Sequence, residues 1–335
     1  MLRTLLLASL LACVLATTLP LPAHAEIFRP VVIYQGDIQA NSFNLTVHEG
    51  VALFARKTGI PCKEILTSNA MDIYMQCVQK VCAQGYSPVF LLYGNHVKDL
   101  LPFIRQYPKT RFVVMGTVKD EPNMFSLNFA EHEGSFLAGA LAAMASKSGT
   151  IGFISVSDLP LMRRFACGFR QGAKYVDPKI DVLTGFTGSY KDAWFDGNAT
   201  AAMADKFMDQ GADVIYQAAG GAGPAVLEAA AKRGKLGIGV DRNQNGLFPG
   251  HVLTSMLKRT DQVVYAALMQ ARRGIWRDNI KYFGVTQDAV GLAFDENNAP
   301  LVSPEMRKRI AAIKSKIAMG EIRVHDYVTD NTCPQ

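Results

Sequence analysis

The sequence predicts an α/β fold with two consecutive lobes, each a parallel sheet covered by helices. Three observations support this prediction. Apolar runs of β character alternate with helical segments, the alternation starts afresh after a Gly/Ala-rich helix near the middle of the chain, and 335 residues suffice for two cores. Strict alternation of strand and helix is typical of parallel sheets that are covered on both faces.

The first alternating set begins shortly after residue 26. Its predicted strands are 30–36, 62–66, 88–93 and 111–115, and its predicted helices are 43–57, 70–84 and 97–107. The first of these helices has apolar residues at the spacing of one helical face, namely Phe43, Val47, Val51 and Phe54.

The second set follows a helix at 131–146, which is so rich in Gly and Ala that another element must pack closely on it. Its predicted strands are 151–155, 180–185, 214–216 and 252–255, with a β-like segment at 282–284 and helices at 161–175, 197–208, 225–233, 261–273 and 304–319. We expect the first lobe to span 26–130, completed by about 252–335, and the second lobe to span 131–251.

A candidate ligand site lies in the stretch 211–241, which predicts a strand, a Gly-rich turn, a helix and a strand that ends at Asp241. The turn offers free backbone N–H groups at a helix N-terminus, which bind polar ligand groups without a side chain. Asp241 falls at the carboxyl end of a strand, where open α/β sheets bind their ligands. Two alternatives remain, a dinucleotide-binding unit with an acid after its glycines and an ordinary βαβ turn without a ligand.

The first 25 residues have the pattern of a cleaved secretory signal. Arg3 precedes a Leu/Ala-rich run, and Ala23-His24-Ala25 provides a cleavage site before Glu26. Pro20 and Pro22 interrupt the apolar run, which argues against a membrane span. Lipid attachment at Cys13 is less favoured than simple export, because Cys13 lies very early and apolar residues continue past it.

Composition excludes several classes of function. With 35 basic and 29 acidic residues and no basic run, the chain does not have the charge pattern of a nucleic-acid binder. Five cysteines follow the signal segment, so at least one is unpaired; they are Cys62, Cys77, Cys82, Cys167 and Cys333. Their spacing and the scattered histidines predict no metal site. Cys77 and Cys82 are expected to be small buried residues and Cys333 to be available for pairing, while the connectivity stays open.

The sequence contains none of the catalytic motifs G-x-S-x-G, H-E-x-x-H or the P-loop. It therefore predicts no catalytic residue and no cofactor. Two enzyme alternatives stay open. A hydrolase would use His132 between Glu131 and Glu133, although consecutive helical residues point in different directions. A dinucleotide-dependent enzyme would need its glycines in the first βαβ unit, whereas here they lie deep in the second lobe. Two parallel lobes in an exported protein instead favour a bilobed binding protein with its ligand between the lobes.

Six motifs occur in a characteristic order along the mature chain. They are SFN (42–44), PNMFSLNFAEHEGSFLAGALAA (122–143), GF-x-x-GAK (168–174), GADVIYQAAGGAG (211–223), GVDRNQ (239–244) and LTSMLKR (253–259). The chain resembles the basic membrane protein family of solute receptors of ABC importers, whose best-known branch binds purine nucleosides. The resemblance implies a type I-like bilobed periplasmic binding protein with a hinge. It also implies a purine-type ligand delivered to an ABC permease and its ATPase subunit, no cofactor, and a monomer.

Several roles transfer by position from this resemblance. Phe43 matches an aromatic residue that stacks on the purine, and Asn44 belongs to the same motif. Glu131 stands where the family's base-recognising acid, usually Asp, precedes a helix, and its extra methylene moves that contact. The ordinary interpretations are a core residue for Phe43 and, for Glu131, an acid favoured by the helix dipole.

Further roles transfer to positions later in the chain. Asp241 matches the acid that binds the ribose hydroxyls in the family, and Lys258 matches the basic residue that accompanies it. If they bind no ligand, the two residues are expected to form an ion pair across the cleft. Gly220 and Gly221 are expected to bring backbone N–H groups to the ligand, and Tyr216 lies in the same motif.

Two positions point toward a free nucleobase as the alternative ligand. Tyr34 stands at the end of the first strand, where the nucleoside branch has Asp, so it is expected to penalise a sugar and to add an aromatic wall. Trp194 occurs at a turn where a nucleobase-associated subset of the family also has Trp, and it either overhangs the cleft or caps the lobe's core. Because Asp241 and Lys258 are retained, a nucleoside stays slightly favoured.

Overall fold

The computed structural model describes residues 28–68, 70–93, 97–116, 121–189, 192–275 and 280–334. The predicted signal segment and Cys13 lie outside these ranges. Within them, no helix combines the length and the apolar character that a membrane crossing requires.

The first sheet is formed by strands that lie early in the chain, together with one late strand. They are β1 (Val31–Gln35), β2 (Lys63–Thr67), β3 (Val89–Leu91), β4 (Phe112–Met115), β5 (Met124–Phe129) and β11 (Ile280–Phe283). All of their pairings are parallel, in the order β11-β5-β4-β3-β1-β2.

The second sheet has the strand order β12-β10-β9-β8-β6-β7. Its strands are β6 (Thr150–Ser155), β7 (Asp181–Phe186), β8 (Val214–Ala218), β9 (Leu236–Asp241), β10 (Val252–Lys258) and β12 (Val290–Leu292). Its pairings are parallel except that between β10 and β12. The predicted two-lobe α/β architecture is therefore confirmed.

The helices lie between the strands, as the alternation predicts. They are α1 (Ser42–Thr58), α2 (Met71–Ala83), α3 (Val97–Gln106), α4 (Glu131–Ala145), α5 (Pro160–Val176), α6 (Gly197–Asp209), α7 (Gly223–Lys232), α8 (Thr260–Arg272) and α9 (Pro304–Ala318). Helix α1 begins after Asn41, whose side-chain oxygen accepts hydrogen bonds from the N–H groups of Phe43 and Asn44.

The structure divides the C-terminal part of the chain differently from the sequence-based expectation. Residues from about 252 onward were expected to complete the first lobe, but β10 and β12 pair within the second sheet, and only β11 pairs within the first. Helix α8 packs mainly on α1 of the first lobe. The chain therefore passes between the lobes after β5, after β10 and again between β11 and β12, and these three crossings form the hinge.

Close packing of α4 on α5 explains the Gly/Ala-rich composition of α4. A Cβ atom on Gly139 would lie 1.9 Å from the carbonyl oxygen of Phe169, and one on Gly172 would lie 1.9 Å from that of Phe136. Because backbone atoms occupy these places, a side chain of any size would force the two helices apart.

One disulfide joins Cys167 of α5 to Cys333 near the C-terminus. Cys62, Cys77 and Cys82 carry free thiols, of which Cys82 is buried and the other two are partly exposed. Burial raises the pKa of Cys82 to about 12, so this thiol stays protonated and behaves as a small apolar residue.

Candidate ligand-binding site between the lobes

The two lobes touch at the carboxyl ends of β9 and β1. The hydroxyl of Ser42, at the start of α1, donates to Oδ2 of Asp241 at 2.7 Å. At the rim, the Arg242 guanidinium lies 3.3 Å from the carboxylate of Glu49. The structure therefore shows the lobes closed on each other, with Asp241 at the joint.

Asp241 is held in an unusual backbone conformation. Its φ of +66° lies in the left-handed region, which Asp tolerates better than most residues and which is often strained at functional sites. Gln244, three residues later, bonds back to the strands, because its Oε1 accepts from Val240 N and from Gln217 Nε2, each at 2.9 Å. Burial raises the pKa of Asp241, although Lys258 and the Ser42 hydroxyl favour its charged form.

Glu131 forms the centre of a buried charge cluster at the hinge. One carboxylate oxygen lies 2.7 Å from Nζ of Lys258, and the other lies 3.0 Å from Nη1 of Arg164. Burial alone would raise the pKa of Glu131, but the two cations outweigh it and hold the pKa below its ordinary value. Glu131 opens α4 and Lys258 closes β10, so the cluster spans two of the three crossings.

Phe43 lies beside this cluster. The Lys258 ammonium is 5.0 Å from the centre of the Phe43 ring and 4.9 Å from that of Phe129. Tyr93 meets the Phe43 ring edge-on at 5.9 Å, and its hydroxyl donates to Oδ1 of Asn44. Asn44 is thus a fully buried scaffold residue, which also donates to the carbonyl of Gln35 at the end of β1.

Tyr34 is placed differently from the expectation of an aromatic wall. It has no exposed surface, and its hydroxyl donates at 2.6 Å to Glu64 on β2, the edge strand of the first sheet. His48 Nδ1 lies 3.0 Å from the same carboxylate oxygen. Burial, reinforced by Glu64, raises the pKa of Tyr34, so it stays neutral. Its hydroxyl is directed at a neighbouring strand of its own lobe.

The glycine turn meets the first lobe at the cleft mouth, and Trp194 packs beside that turn within the second lobe. A Cβ atom on Gly220, whose φ is +56°, would lie 3.2 Å from the Trp194 ring and 3.3 Å from the Asn41 amide. A Cβ atom on Gly221 would lie 2.5 Å from the carbonyl oxygen of Ala40. Glycine is required here because the second lobe approaches the backbone of the first so closely.

Tyr216 belongs to the core of the second lobe. It is fully buried, with its ring 5.4 Å from that of Phe153 and 5.3 Å from that of Phe169. Its hydroxyl lies 3.4 Å from Ser135.

The structure therefore groups the predicted site residues into three sets. Phe43, Asn44, Glu131, Asp241 and Lys258 come together at the joint of the lobes, Trp194, Gly220 and Gly221 lie at its mouth, and Tyr34 and Tyr216 lie within the lobes.

The site also contains residues that were not singled out from the sequence, among them Ser42, Tyr93 and Arg164. Ser42 stands inside the quoted SFN motif, and Tyr93 ends a predicted strand, so both had a usable signal. Arg164 had none, because its contact with Glu131 joins positions 33 residues apart.

Comparison with known proteins places these observations in a family context. The profile of the Bmp family, described as ABC transporter substrate-binding protein PnrA-like, matches residues 27–327. The ABC transporter nucleoside-binding protein BmpA of Lactococcus lactis is 29% identical over 317 residues, with 88% of each chain covered. Basic membrane protein A of Borreliella burgdorferi is 26% identical over 309 residues, with 90% of this chain and 88% of the relative covered.

A solved structure shows the same fold. The solute-binding protein of an ABC transporter system from Aeropyrum pernix superposes with a TM-score of 0.78 at 21% identity, covering 89% of this chain and 93% of the other.

Proposed function

Since this chain belongs to the Bmp family of ABC transporter substrate-binding proteins, we propose that it captures a purine nucleoside between its lobes. Family membership makes the chain a substrate-binding protein that works with a membrane permease and its ATPase, and not an enzyme. The purine is the specific ligand that we propose for this substrate-binding protein.

The observation that carries the proposal is the hydroxyl bound to Asp241. The carboxylate accepts from Ser42 Oγ at 2.7 Å across the joint of the lobes. A ribose offers hydroxyl groups of the same kind, and a carboxylate that is already shaped to accept one can exchange the serine for the sugar. A relative of similar length, from Lactococcus lactis, is named as a nucleoside-binding protein, which supports the same ligand class.

The base would lie against Phe43. Its ring faces the Lys258 ammonium, which donates to Glu131. A carboxylate has about four lone-pair positions, and the two cations engage one on each oxygen of Glu131, so it can still accept a hydrogen bond from a purine N–H. Trp194 and the backbone at Gly220 and Gly221 would close the mouth.

A free nucleobase is the second candidate. Tyr34 replaces the carboxylate that the nucleoside branch carries at the end of the first strand, and its own hydroxyl donates to Glu64. This position therefore supplies no charged acceptor for a sugar. Competition between guanosine and guanine, and between adenosine and adenine, distinguishes the two candidates.

Titration calorimetry on the purified mature protein tests the proposal. We expect binding of a purine nucleoside without product formation. Asp241→Ala should weaken nucleoside binding about ten- to a hundredfold, which is the loss in affinity expected when one charged hydrogen bond is removed. Arg242→Ala is the matched control, because the neighbouring side chain makes only an exposed ion pair with Glu49. Absence of binding to all four compounds, or equal losses in both variants, would contradict the proposal.

The cellular setting is part of the same proposal. We propose export through cleavage after Ala25 and a periplasmic monomer, with lipid attachment at Cys13 as the less favoured route. N-terminal sequencing of the protein recovered from the periplasm should begin at Glu26, and light scattering should give the mass of one chain. A lipid-modified cysteine at the new N-terminus would contradict this route.

A further inference from the structure

The C-terminal tail, defined here as residues 321–334, is fastened to α5. The Cys167–Cys333 disulfide joins positions 166 residues apart. Gln171, one turn after Cys167, donates from its amide nitrogen to the carbonyl of His325 at 2.9 Å and accepts from the N–H of His325 at 2.9 Å. The tail therefore has a defined position on α5 at two separate points.

Between these points the tail places one carboxylate on a buried arginine. Asp326 accepts from Nε of Arg164 at 2.8 Å and from Nη2 at 2.9 Å. The remaining nitrogen, Nη1, donates to Glu131 at 3.0 Å and to the carbonyl of Phe129 at 3.1 Å. Because the guanidinium is planar and rigid, two bonds on one side fix the direction of the third nitrogen. The tail carboxylate thus orients the cation that holds Glu131.

The contact continues into the cleft. The other oxygen of Glu131 lies 2.7 Å from the Lys258 ammonium, which in turn lies over the face of Phe43. Side chains of alternating charge therefore connect Asp326 in the tail with Lys258 in the cleft. Lys258 in turn lies over the Phe43 ring, on which the purine is proposed to stack.

We propose that Asp326 is a positioning residue for the ligand site, acting through Arg164 on Glu131 and thereby on Lys258. This inference rests on the proposed purine site. If the tail served stability alone, loss of the Asp326 carboxylate would lower the unfolding temperature and leave affinity and ligand preference unchanged.

The first test compares two tail variants that lose the same charge. Asp326→Asn breaks the fork with Arg164, whereas Asp330→Asn changes an exposed acid that contacts Thr332 and His325. Titration with guanosine and adenosine should show about tenfold weaker binding for Asp326→Asn and a change below about twofold for Asp330→Asn. Asp326→Glu, which keeps the carboxylate, should recover most of the affinity. Equal affinities for Asp326→Asn and Asp330→Asn would overturn the inference.

A double-mutant cycle tests the route through Glu131. In the Glu131→Gln background, Asp326→Asn should cost little further affinity, because the group that it positions has already lost its charge. An equal cost in both backgrounds overturns the inference. If Asp326→Asn does not fold, Cys333→Ser releases the tail with Asp326 still present, and it should weaken binding severalfold. Unchanged binding by Cys333→Ser would then count against the inference.

A measurement without ligand separates this inference from the proposed function. Amide hydrogen exchange in the segment 129–134 of the ligand-free protein should be faster in Asp326→Asn than in Asp330→Asn. If the unmodified protein binds neither nucleoside, the purine proposal fails, and the exchange rates alone decide whether Asp326 positions the start of α4. Equal exchange rates in the two variants would overturn the inference.

Discussion

At the residue scale, Asp241 combines a left-handed backbone with a carboxyl group that is partly buried between the lobes. Burial between the lobes raises its pKa above the ordinary value of 3.8, more than Lys258 and Ser42 lower it. Opening the lobes would expose the carboxyl further and weaken this cause. The pKa of Asp241 should therefore be higher in the closed form than in the open form, which couples closure to proton uptake.

This coupling predicts that closure of the ligand-free protein depends on pH. Because the pKa of Asp241 is higher in the closed form, protonation stabilises the closed form. This stabilisation is complete at pH values below the pKa of the open form, and it is lost as the pH rises through the pKa of the closed form. The radius of gyration from small-angle scattering should therefore decrease as pH falls through that interval. Asp241→Asn, which cannot titrate, should remove this part of the dependence. A pH profile that is the same in both proteins would exclude Asp241 as its source.

Tyr34 permits a second test at this scale. Its buried hydroxyl donates to Glu64 at 2.6 Å, so Tyr34→Phe should lower the free energy of unfolding by about 1–2 kcal/mol. Because that hydroxyl is engaged by Glu64 within the first lobe, the ratio of guanosine to guanine affinity should stay the same. Urea unfolding and titration measure the two quantities. A changed ratio would show that the hydroxyl of Tyr34 takes part in choosing between nucleoside and base.

At the scale of elements, the crossing of α4 and α5 depends on glycines that leave no room for a Cβ atom. This contact carries Glu131 and Arg164 on its two helices, so the packing also sets the geometry of the charge cluster. The glycines of α4 and α5 are therefore required for the packing of these helices, and through it for the placement of Glu131 and Arg164.

Gly139→Ala should be strongly destabilising, by roughly 3 kcal/mol or more, because its Cβ would lie 1.9 Å from a backbone oxygen of α5. Gly291→Ala on β12 is the matched control, since its Cβ would meet only the end of the Lys314 side chain at 3.8 Å. Denaturant unfolding measures both variants. Similar stabilities of the two would contradict the close approach of α4 and α5.

At the scale of the whole molecule, three chain crossings join lobes that the structure shows in contact. Hinge closure around a ligand is a common response of such receptors, and the hinge here holds the Glu131–Lys258 pair. Saturating guanosine should therefore reduce the radius of gyration at neutral pH. Asp241→Ala should need a higher concentration for the same change. An unchanged scattering profile at saturation, in a protein whose ligand-free form is open, would contradict a site between the lobes.

Local features of the sequence determined the order of most elements and several site positions. Helix α1 could be predicted because its cap and its apolar spacing are properties of neighbouring residues, and Asp241 because it ends a strand after a glycine turn. The strands β5 and β12 were not predicted. Three residues such as Val290–Leu292 become a strand only through their pairing with β10.

Only the tertiary structure decided which lobe each late segment joins and which side chains meet. Strand β10 pairs in the second sheet because β9 lies beside it, which the residues of β10 do not reveal by themselves. Likewise, Ser42 and Asp241 are 199 residues apart, and Arg164 and Asp326 are 162 apart. Hydrophobic periodicity acts over a few residues, whereas such pairs form only when the whole chain packs. The sequence therefore determined the fold class and the family motifs, and tertiary packing decided the contacts that make them a site.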